Sequence, residues 1–129
     1  MKRLFSVFIP IVVFFFSALP SHAVYFGSGE NLSLSKTQKF AESVFVSGQS
    51  VTVDSDINGD LYCAGQNITV NGKITGDVLC AGQSLKINGQ VDGNIRFIGQ
   101  QIEVNGLVSR NIIALGQTFT LGKDSSVKG

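Results

Sequence analysis

Two consecutive stretches of this chain, LYCAGQNITVNGKITGD at residues 61–77 and VLCAGQSLKINGQVDGN at residues 78–94, align from end to end without a gap. A Gly-Gln pair marks the same point in each stretch and recurs on both sides of them. The pair occurs at residues 48–49, 65–66, 82–83, 99–100 and 116–117. An ungapped period of this kind is typical of repeat architectures, in which each unit buries its apolar face against its neighbours.

Apolar residues occupy five fixed positions within the repeat. The five columns are Val44, Leu61, Val78, Ile95 and Ile112; Val46, Cys63, Cys80, Phe97 and Ala114; Val51, Ile68, Leu85, Ile102 and Phe119; Val53, Val70, Ile87, Val104 and Leu121; and Ile57, Ile74, Val91 and Val108. These positions alternate singly with polar residues and show no 3.6-residue spacing. The pattern therefore predicts short strands and no helix.

Asn-Gly pairs separate the strands and allow two architectures. Such pairs are the strongest hairpin signal, so an antiparallel meander or sandwich is one alternative. In a hairpin around residues 71–72, however, Val70 would pair with Lys73 and Thr69 with Ile74, which mixes apolar and polar side chains on each face. A coil that turns a corner there keeps Val70 and Ile74 inward, the corner using the positive φ that Asn and Gly tolerate. The pattern thus favours a three-sided parallel β-helix of about six turns.

The outer repeats differ from the inner ones at one corner. Phe40 lies six positions after Leu34, and Val127 lies six positions after Leu121, where the inner repeats use a step of four. We expect a β-helix domain over residues 32–129, preceded by a short linker at residues 24–31. Residues 127–129 resemble the inner corners that precede the next strand, so the domain is expected to stop abruptly or to continue beyond Gly129.

Residues 1–23 have the composition of a secretory signal peptide. Lys2 and Arg3 precede an apolar run from Leu4 to Leu19, and residues 21–23 supply a cleavage site of small residues. The run is short for a membrane-spanning helix, so cleavage after Ala23 is favoured over a retained anchor. Either outcome places the domain in the periplasm or outside the cell, in the second case held at the outer side of the cytoplasmic membrane.

The remaining residues exclude several classes of function. They contain no histidine and carry a formal charge of −1. A Ser-His-Asp triad, a Cys-His pair and a histidine zinc site are therefore excluded. Near neutrality also argues against nucleic acid, whose phosphates attract a basic surface. We expect no catalytic, cofactor-binding or metal-binding site.

The repeat resembles that of the bactofilins, polymer-forming bacterial cytoskeletal proteins. The resemblance covers residues 32–129 and rests on the 17-residue turn and on corner strings at residues 57–60, 74–77, 87–89 and 91–94. It implies a right-handed, three-sided β-helix that polymerises end to end without nucleotide and scaffolds other proteins at the membrane. Bactofilins are usually cytoplasmic, whereas this chain carries an export signal, so the expectation is an extracytoplasmic scaffold.

Two surfaces are candidates for interaction. The end turns of a solenoid have unpaired backbone groups and uncovered apolar side chains. The sequence has no amphipathic helix to cap them, so the ends are expected to associate. The end residues are Leu32, Leu34, Phe40, Phe119, Leu121 and Val127. An outward apolar strip is predicted from Phe45, Tyr62, Leu79, Ile98, Ile113 and Leu115, with Arg96 in the same column. The strip is expected to bind a partner or to be covered by residues 24–31.

Three further columns carry polar or reactive groups. Cys63 and Cys80 lie one turn apart and point inward, which favours two reduced core thiols over a disulfide because parallel side chains are poorly placed for the bond. The glutamines that follow the recurring glycines, residues 49 to 117, are expected to form an amide ladder. Asp60 and Asp77 are expected to be solvated turn carboxylates and not a calcium site.

Three hypotheses for the function follow from these observations. The first is an exported, non-enzymatic scaffold that associates with itself through its ends. The second is a monomeric β-helix that binds a glycan or a membrane protein of the cell envelope. An enzyme of the pectate-lyase or hexapeptide-acyltransferase type is disfavoured, because long loops, a charged cleft and the required histidine are missing from the repeats.

Overall fold

A computed structural model of the protein describes residues 25–123 and 125–129. This part of the chain forms eleven β-strands and no helix. The strands are β1 (Tyr25–Leu34), β2 (Lys39–Phe40), β3 (Val44–Val53), β4 (Asp56–Ile57), β5 (Leu61–Val70), β6 (Val78–Ile87), β7 (Ile95–Val104), β8 (Leu107–Val108), β9 (Ile112–Leu115), β10 (Thr118–Leu121) and β11 (Ser126–Val127).

Every pairing between these strands is parallel, and the inner turns pair at the period of the sequence repeat. Val44 lies beside Leu61, Leu61 beside Val78, and Val78 beside Ile95. The chain is thus a β-solenoid of about six turns. The predicted parallel β-helix is confirmed, and the antiparallel alternative is wrong because each column stacks on itself.

Each turn has three sides. The long strands β1, β3, β5, β6 and β7 run along two sides, and their pairing is interrupted at the residue after the central glycine. The last turn divides the same path between β9 and β10. The third side is short. It consists of the pairs β2–β4 and β8–β11, joined by single bridges at Ile74 and Val91.

The corner expansions are present in both outer turns. The sequence offset between paired residues is 19 for Leu34 and Val53 but 17 for Phe40 and Ile57, so the first turn holds two extra residues between these pairs. In the last turn Leu121 pairs with Val104 at 17, whereas Val127 pairs with Val108 at 19. The first and last turns therefore share an enlarged corner at the same place.

The expected linker at residues 24–31 is wrong from Tyr25 onward. Tyr25–Leu34 is a full strand that pairs with β3 along both sides, from Tyr25 beside Val44 to Leu34 beside Val53. The first turn therefore begins at least seven residues before Leu32. The proposed signal peptide, residues 1–23, lies outside the described residues. None of the described segments forms a helix that could cross a membrane.

The five inward columns make one continuous core. Its buried members run from Leu34 to Val108, and Tyr25, Leu32, Phe40, Ile112, Ala114 and Val127 pack against it from the two ends. A side chain of this kind contributes about 1.5–3 kcal/mol when fully buried. Stacking supplies the neighbour that buries it, which is why no turn is stable alone.

Glycine is required at the corners for space and not for its positive φ. No described residue has a positive φ, so the expected left-handed corner is wrong. At the Asn-Gly corner a Cβ on Gly89 would instead collide with the carbonyl oxygen of Gly72. At the Gly-Gln position a Cβ on Gly82 would collide with the carbonyl oxygen of Gly65. Gly29 holds the same column in the first turn, where no described turn precedes it, and a Cβ there would meet nothing within 4 Å.

Side-chain ladders run along two corners. Asn71 donates to Asp54 (2.6 Å), Asn88 to Asn71 (2.8 Å) and Asn105 to Asn88 (2.9 Å). In the described part of the chain no such bond joins the glutamines of residues 49 to 117, so the predicted glutamine ladder is wrong. Asparagine has one rotatable bond fewer, and ordering it along the stack costs less side-chain entropy.

The second ladder joins carboxylates and amides to the backbone of the next turn. Asp60 Oδ1 accepts the N–H of Asp77 and Asp77 Oδ1 accepts the N–H of Asn94, both at 2.7 Å. Asn94 Oδ1 accepts the N–H of Asn111 at 3.1 Å. These carboxylates therefore stabilise the stack, which is a more specific role than the solvated turn that the sequence predicted.

Candidate functional site

An apolar strip runs along the outer surface of one side of the solenoid, the side formed by the first half of each long strand. Strand alternation points every second residue outward, and parallel stacking aligns these residues from turn to turn. Phe26, Phe45, Tyr62 and Leu79 form one outward column, and Ser28, Ser47, Ala64, Ala81 and Ile98 form the next. We call these nine residues the apolar strip.

The three aromatic rings of the apolar strip stack on one another. The ring centroids of Phe26 and Phe45 lie 5.2 Å apart, and those of Phe45 and Tyr62 lie 4.4 Å apart. The adjacent column is small from Ser28 to Ala81, so the strip is a groove with an aromatic wall and a shallow floor. Its volume is about 720 Å³. Such a surface suits an apolar or aromatic ligand better than a charged one.

One titratable group lies in the groove. Tyr62 is partly desolvated there, and its hydroxyl lies 3.5 Å from Asp60 Oδ2. Burial, then the charge of Asp60 and the hydrogen bond to it, then the charge of Asp77, raise the pKa of the Tyr62 phenol above its ordinary value. The phenol is therefore a neutral hydrogen-bond donor at neutral pH, and the groove carries no ionised group of its own.

The structure extends the predicted strip at one end and divides it at the other. Phe26, 73% exposed, was missed because its offset from Phe45 is 19, and the enlarged corner hides it from a 17-residue register. Residues 25–31 therefore continue the strip and do not cover it. Ile113 and Leu115 lie in the next turn on the same face, beside Arg96 and Ile98, but outside the groove.

The second candidate surface is the outer face of the last turn, residues 112–127, which we call the tail. Phe119 is 47% exposed and Leu121 is 52% exposed, although their columns are buried in every inner turn. Beside Phe119 the core is open. A cavity of about 90 Å³ lies among Phe97, Ile102, Ala114 and Phe119. The tail thus exposes side chains at core positions, because no described turn covers them.

The outer face of the first turn, residues 25–42, which we call the head, is better filled. Tyr25 and Phe40 pack at a centroid distance of 4.8 Å, and the Tyr25 ring occupies space that the missing side chain of Gly27 leaves. Leu34, expected among the end residues, is only 1% exposed. Leu32 and Phe40 remain half-buried, as does Val127 at the tail. The two ends therefore differ, with a filled head and a hollow tail.

Cys63 and Cys80 are joined in a disulfide, with their α-carbons 4.5 Å apart. The expectation of two reduced thiols is therefore wrong for this structure. Parallel pairing brings the α-carbons to the short end of the range that disulfides allow, and this proximity outweighs the parallel direction of the side chains. Both residues are buried, so the bond links two turns from within the core.

The acidic residues do not gather into a site that could hold a metal. Within residues 25–123 and 125–129 no group of three or more cysteine, histidine or acidic side chains has the required proximity. Comparison with known proteins adds no information about function, since no protein-family model, curated protein or solved structure matches the chain.

Proposed function

We propose that the protein is an exported, non-enzymatic scaffold of the cell envelope that associates with itself end to end, as a bactofilin polymer does. The observation that carries this proposal is the exposure of Phe119 and Leu121 at the tail. Fully burying one such side chain contributes about 1.5–3 kcal/mol, so a second turn placed on the tail would offset part of the entropic cost of association. An open strand edge also offers unpaired backbone groups to another strand.

Export is supported by two features of the chain. Residues 1–23 have the charged, apolar and small-residue order of a signal peptide. The Cys63–Cys80 disulfide is consistent with an oxidising compartment. The proposed location is therefore the periplasm or the cell surface, and the expected partners are further copies of the chain and proteins or lipid of the envelope.

A concentration series in the analytical ultracentrifuge tests the self-association. We expect the average mass of the protein, expressed from its full sequence, to rise with concentration. Leu121→Lys should reduce this association by at least about tenfold, since it places a charge in the tail contact at a cost of more than about 1.4 kcal/mol. Leu107→Lys is the matched control, because Leu107 is 45% exposed but lies in an inner turn. A chain that stays monomeric at millimolar concentration would contradict the proposal.

The groove supports a second candidate function, that of a binding module for a glycan or a membrane protein. Phe45 and Tyr62 stack face to face, so their faces cover each other and the groove offers ring edges and aliphatic surface to such a ligand. Tyr62→Glu and Leu79→Glu separate the two functions. A binding module should lose its envelope ligand and keep its oligomeric state, whereas a scaffold that uses only its ends should change in neither respect.

A further inference from the structure

We propose that the groove of the apolar strip binds a fatty acid, with the alkyl chain along the strip and the carboxylate at Arg96. The columns that form the groove run across the strands, from turn to turn, so a linear ligand would lie parallel to the stacking direction. The site uses one side of the solenoid and does not depend on association of the ends.

The groove has the length of an alkyl chain and is closed at one end. Small outward residues form its floor in four successive turns, from Ser28 to Ala81, and Ile98 occupies the same column in the next turn. Ile98 is 61% exposed, so it projects above the floor. Turns about 4.8 Å apart place Ser28 about 19 Å from Ile98. An extended alkyl chain of about 15 carbons covers that distance, because C–C bonds of about 1.5 Å advance it about 1.25 Å per carbon.

Arg96 lies at the closed end of the groove. It follows Leu79 in the aromatic column, two residues before Ile98 on the same strand, and its side chain is exposed. Neither ion pair of the described residues includes it. A guanidinium binds a carboxylate through two parallel hydrogen bonds. Arg96 is therefore placed to hold the carboxylate of a ligand whose alkyl chain lies against the preceding turns.

The acidic side chains around the groove favour this direction over the reverse one. Asp60 lies beside the Tyr62 hydroxyl, and Asp77 follows Asp60 in the next turn. Glu30 is exposed in the first turn, at the open end. In the turn of Arg96 the column of Asp60 and Asp77 holds the neutral Asn94. A carboxylate would thus meet like charges along the groove and an opposite charge only where the groove closes.

A small ligand fits the strip better than a second copy of the chain does. Five residues of strand and six turns give this side an area of about 17 Å by 29 Å, which is about 500 Å². A standard interface buries about 800 Å² on each partner. The groove volume of about 720 Å³ instead lies within the range of about 300–1,000 Å³ that is typical of ligand pockets.

A chain-length series tests the dimensions of the site. Saturated fatty acids, each below its critical micelle concentration, displace a dansyl-labelled undecanoate from the protein. We expect affinity to rise at least about threefold for every two carbons from octanoate to dodecanoate, because methylene groups leave water. It should change less than about twofold from hexadecanoate to octadecanoate, whose added carbons pass beyond Phe26. A steady rise through octadecanoate, or no saturable binding by the folded protein, would refute the site.

Arg96→Gln tests the charge. We expect dodecanoate to bind this variant about threefold to fivefold more weakly than the native protein, as for an exposed ion pair. Dodecyltrimethylammonium has the same alkyl chain and the opposite charge, and its binding should not weaken. Lys86→Gln is the matched control, because Lys86 is an exposed cation on the adjacent side of the solenoid. Equal losses in the two variants would overturn the assignment of the carboxylate to Arg96.

Ala64→Gln tests the position of the alkyl chain. Ala64 is exposed on the floor, so the substitution fills the groove without entering the core. We expect both amphiphiles to bind at least about fivefold more weakly, since the chain loses apolar contact. Asn67→Gln, on the adjacent side of the same strand, is the control. Unchanged binding in Ala64→Gln would place the ligand elsewhere. A native protein that binds no fatty acid and whose mass in the ultracentrifuge falls in Tyr62→Glu would assign the strip to a second copy.

Discussion

At the scale of single residues, stability depends on how closely one turn approaches the next. The column Gly29, Gly48, Gly65, Gly82, Gly99 and Gly116 shows this most clearly, because a Cβ in an inner turn would collide with the carbonyl of the preceding turn. In the sequence, glycine recurs at this position of the repeat. Recurrence alone could not distinguish a need for space from a need for positive φ, since glycine satisfies both.

Gly82→Ala and Gly29→Ala form a matched pair that tests this requirement. The first substitution forces a methyl group against the Gly65 carbonyl, and the second places it in open space. We expect the free energy of unfolding to fall by about 1–3 kcal/mol for Gly82→Ala and to change little for Gly29→Ala. Urea denaturation followed by circular dichroism measures both, and equal losses would argue against close stacking.

Asp77 tests the ladder between side chains and backbone. Its Oδ1 accepts the N–H of Asn94. Asp77→Ala leaves that partly buried N–H without a partner, which we expect to lower the free energy of unfolding by about 1–3 kcal/mol. Asp77→Asn keeps the acceptor oxygen, as Asn94 does in the same column, and should be nearly neutral. If both substitutions cost the same, the charge and not the hydrogen bond is what matters.

At the scale of elements, the period determined most of the fold, and departures from it caused the errors. The 17-residue register predicted β3, β5, β6 and β7 because each has apolar residues at the same positions. It missed the start of β1 and the contribution of Phe26 because the enlarged corner shifts the first turn to an offset of 19. It also favoured reduced thiols, because the parallel direction of the side chains was given more weight than the closeness of the α-carbons, which lie 4.5 Å apart.

The enlarged corner of the first turn makes room for Ser55. Inner turns hold Gly72, Gly89 and Gly106 at the corresponding corner, whereas the Ser55 side chain is fully buried there opposite residues 35–38. We expect deletion of residues 36 and 37 to destabilise the fold by about 1–3 kcal/mol, because the tighter corner would overlap that side chain. Combining the deletion with Ser55→Gly should recover most of the loss. Equal stability of the deletion with and without Ser55→Gly would contradict this explanation.

The disulfide links two turns and should restrict the unfolded chain. It closes a loop of 17 residues, for which chain entropy predicts a stabilisation of about 3 kcal/mol. We expect dithiothreitol to lower the urea midpoint of the native protein and to leave a Cys63→Val/Cys80→Val double variant unchanged. Titration of free thiols in the unfolded, unreduced protein should detect none. Two free thiols in protein recovered from the cell envelope would contradict the disulfide.

At the scale of the whole molecule, the solenoid is a short rod with a filled head, a hollow tail and an apolar strip along one side. Each inner turn pairs with the turns on both sides and buries its inward side chains against them. Unpaired backbone groups are therefore concentrated at the ends, and exposed apolar side chains at the ends and on the strip. The sequence predicted that the ends associate with one another. It did not predict how they differ, because Tyr25 lay in the expected linker and the tail cavity depends on Phe97, Ala114 and Phe119 packing together.

Electron microscopy of the purified protein, expressed from its full sequence, tests end-to-end association most directly. Six turns about 4.8 Å apart give each copy a length of about 29 Å. We expect unbranched filaments that add about that length for each copy, and that shorten in Leu121→Lys and persist in Leu107→Lys. Uniform single particles at every concentration, with the fold intact by circular dichroism, would show that the exposed ends do not drive assembly.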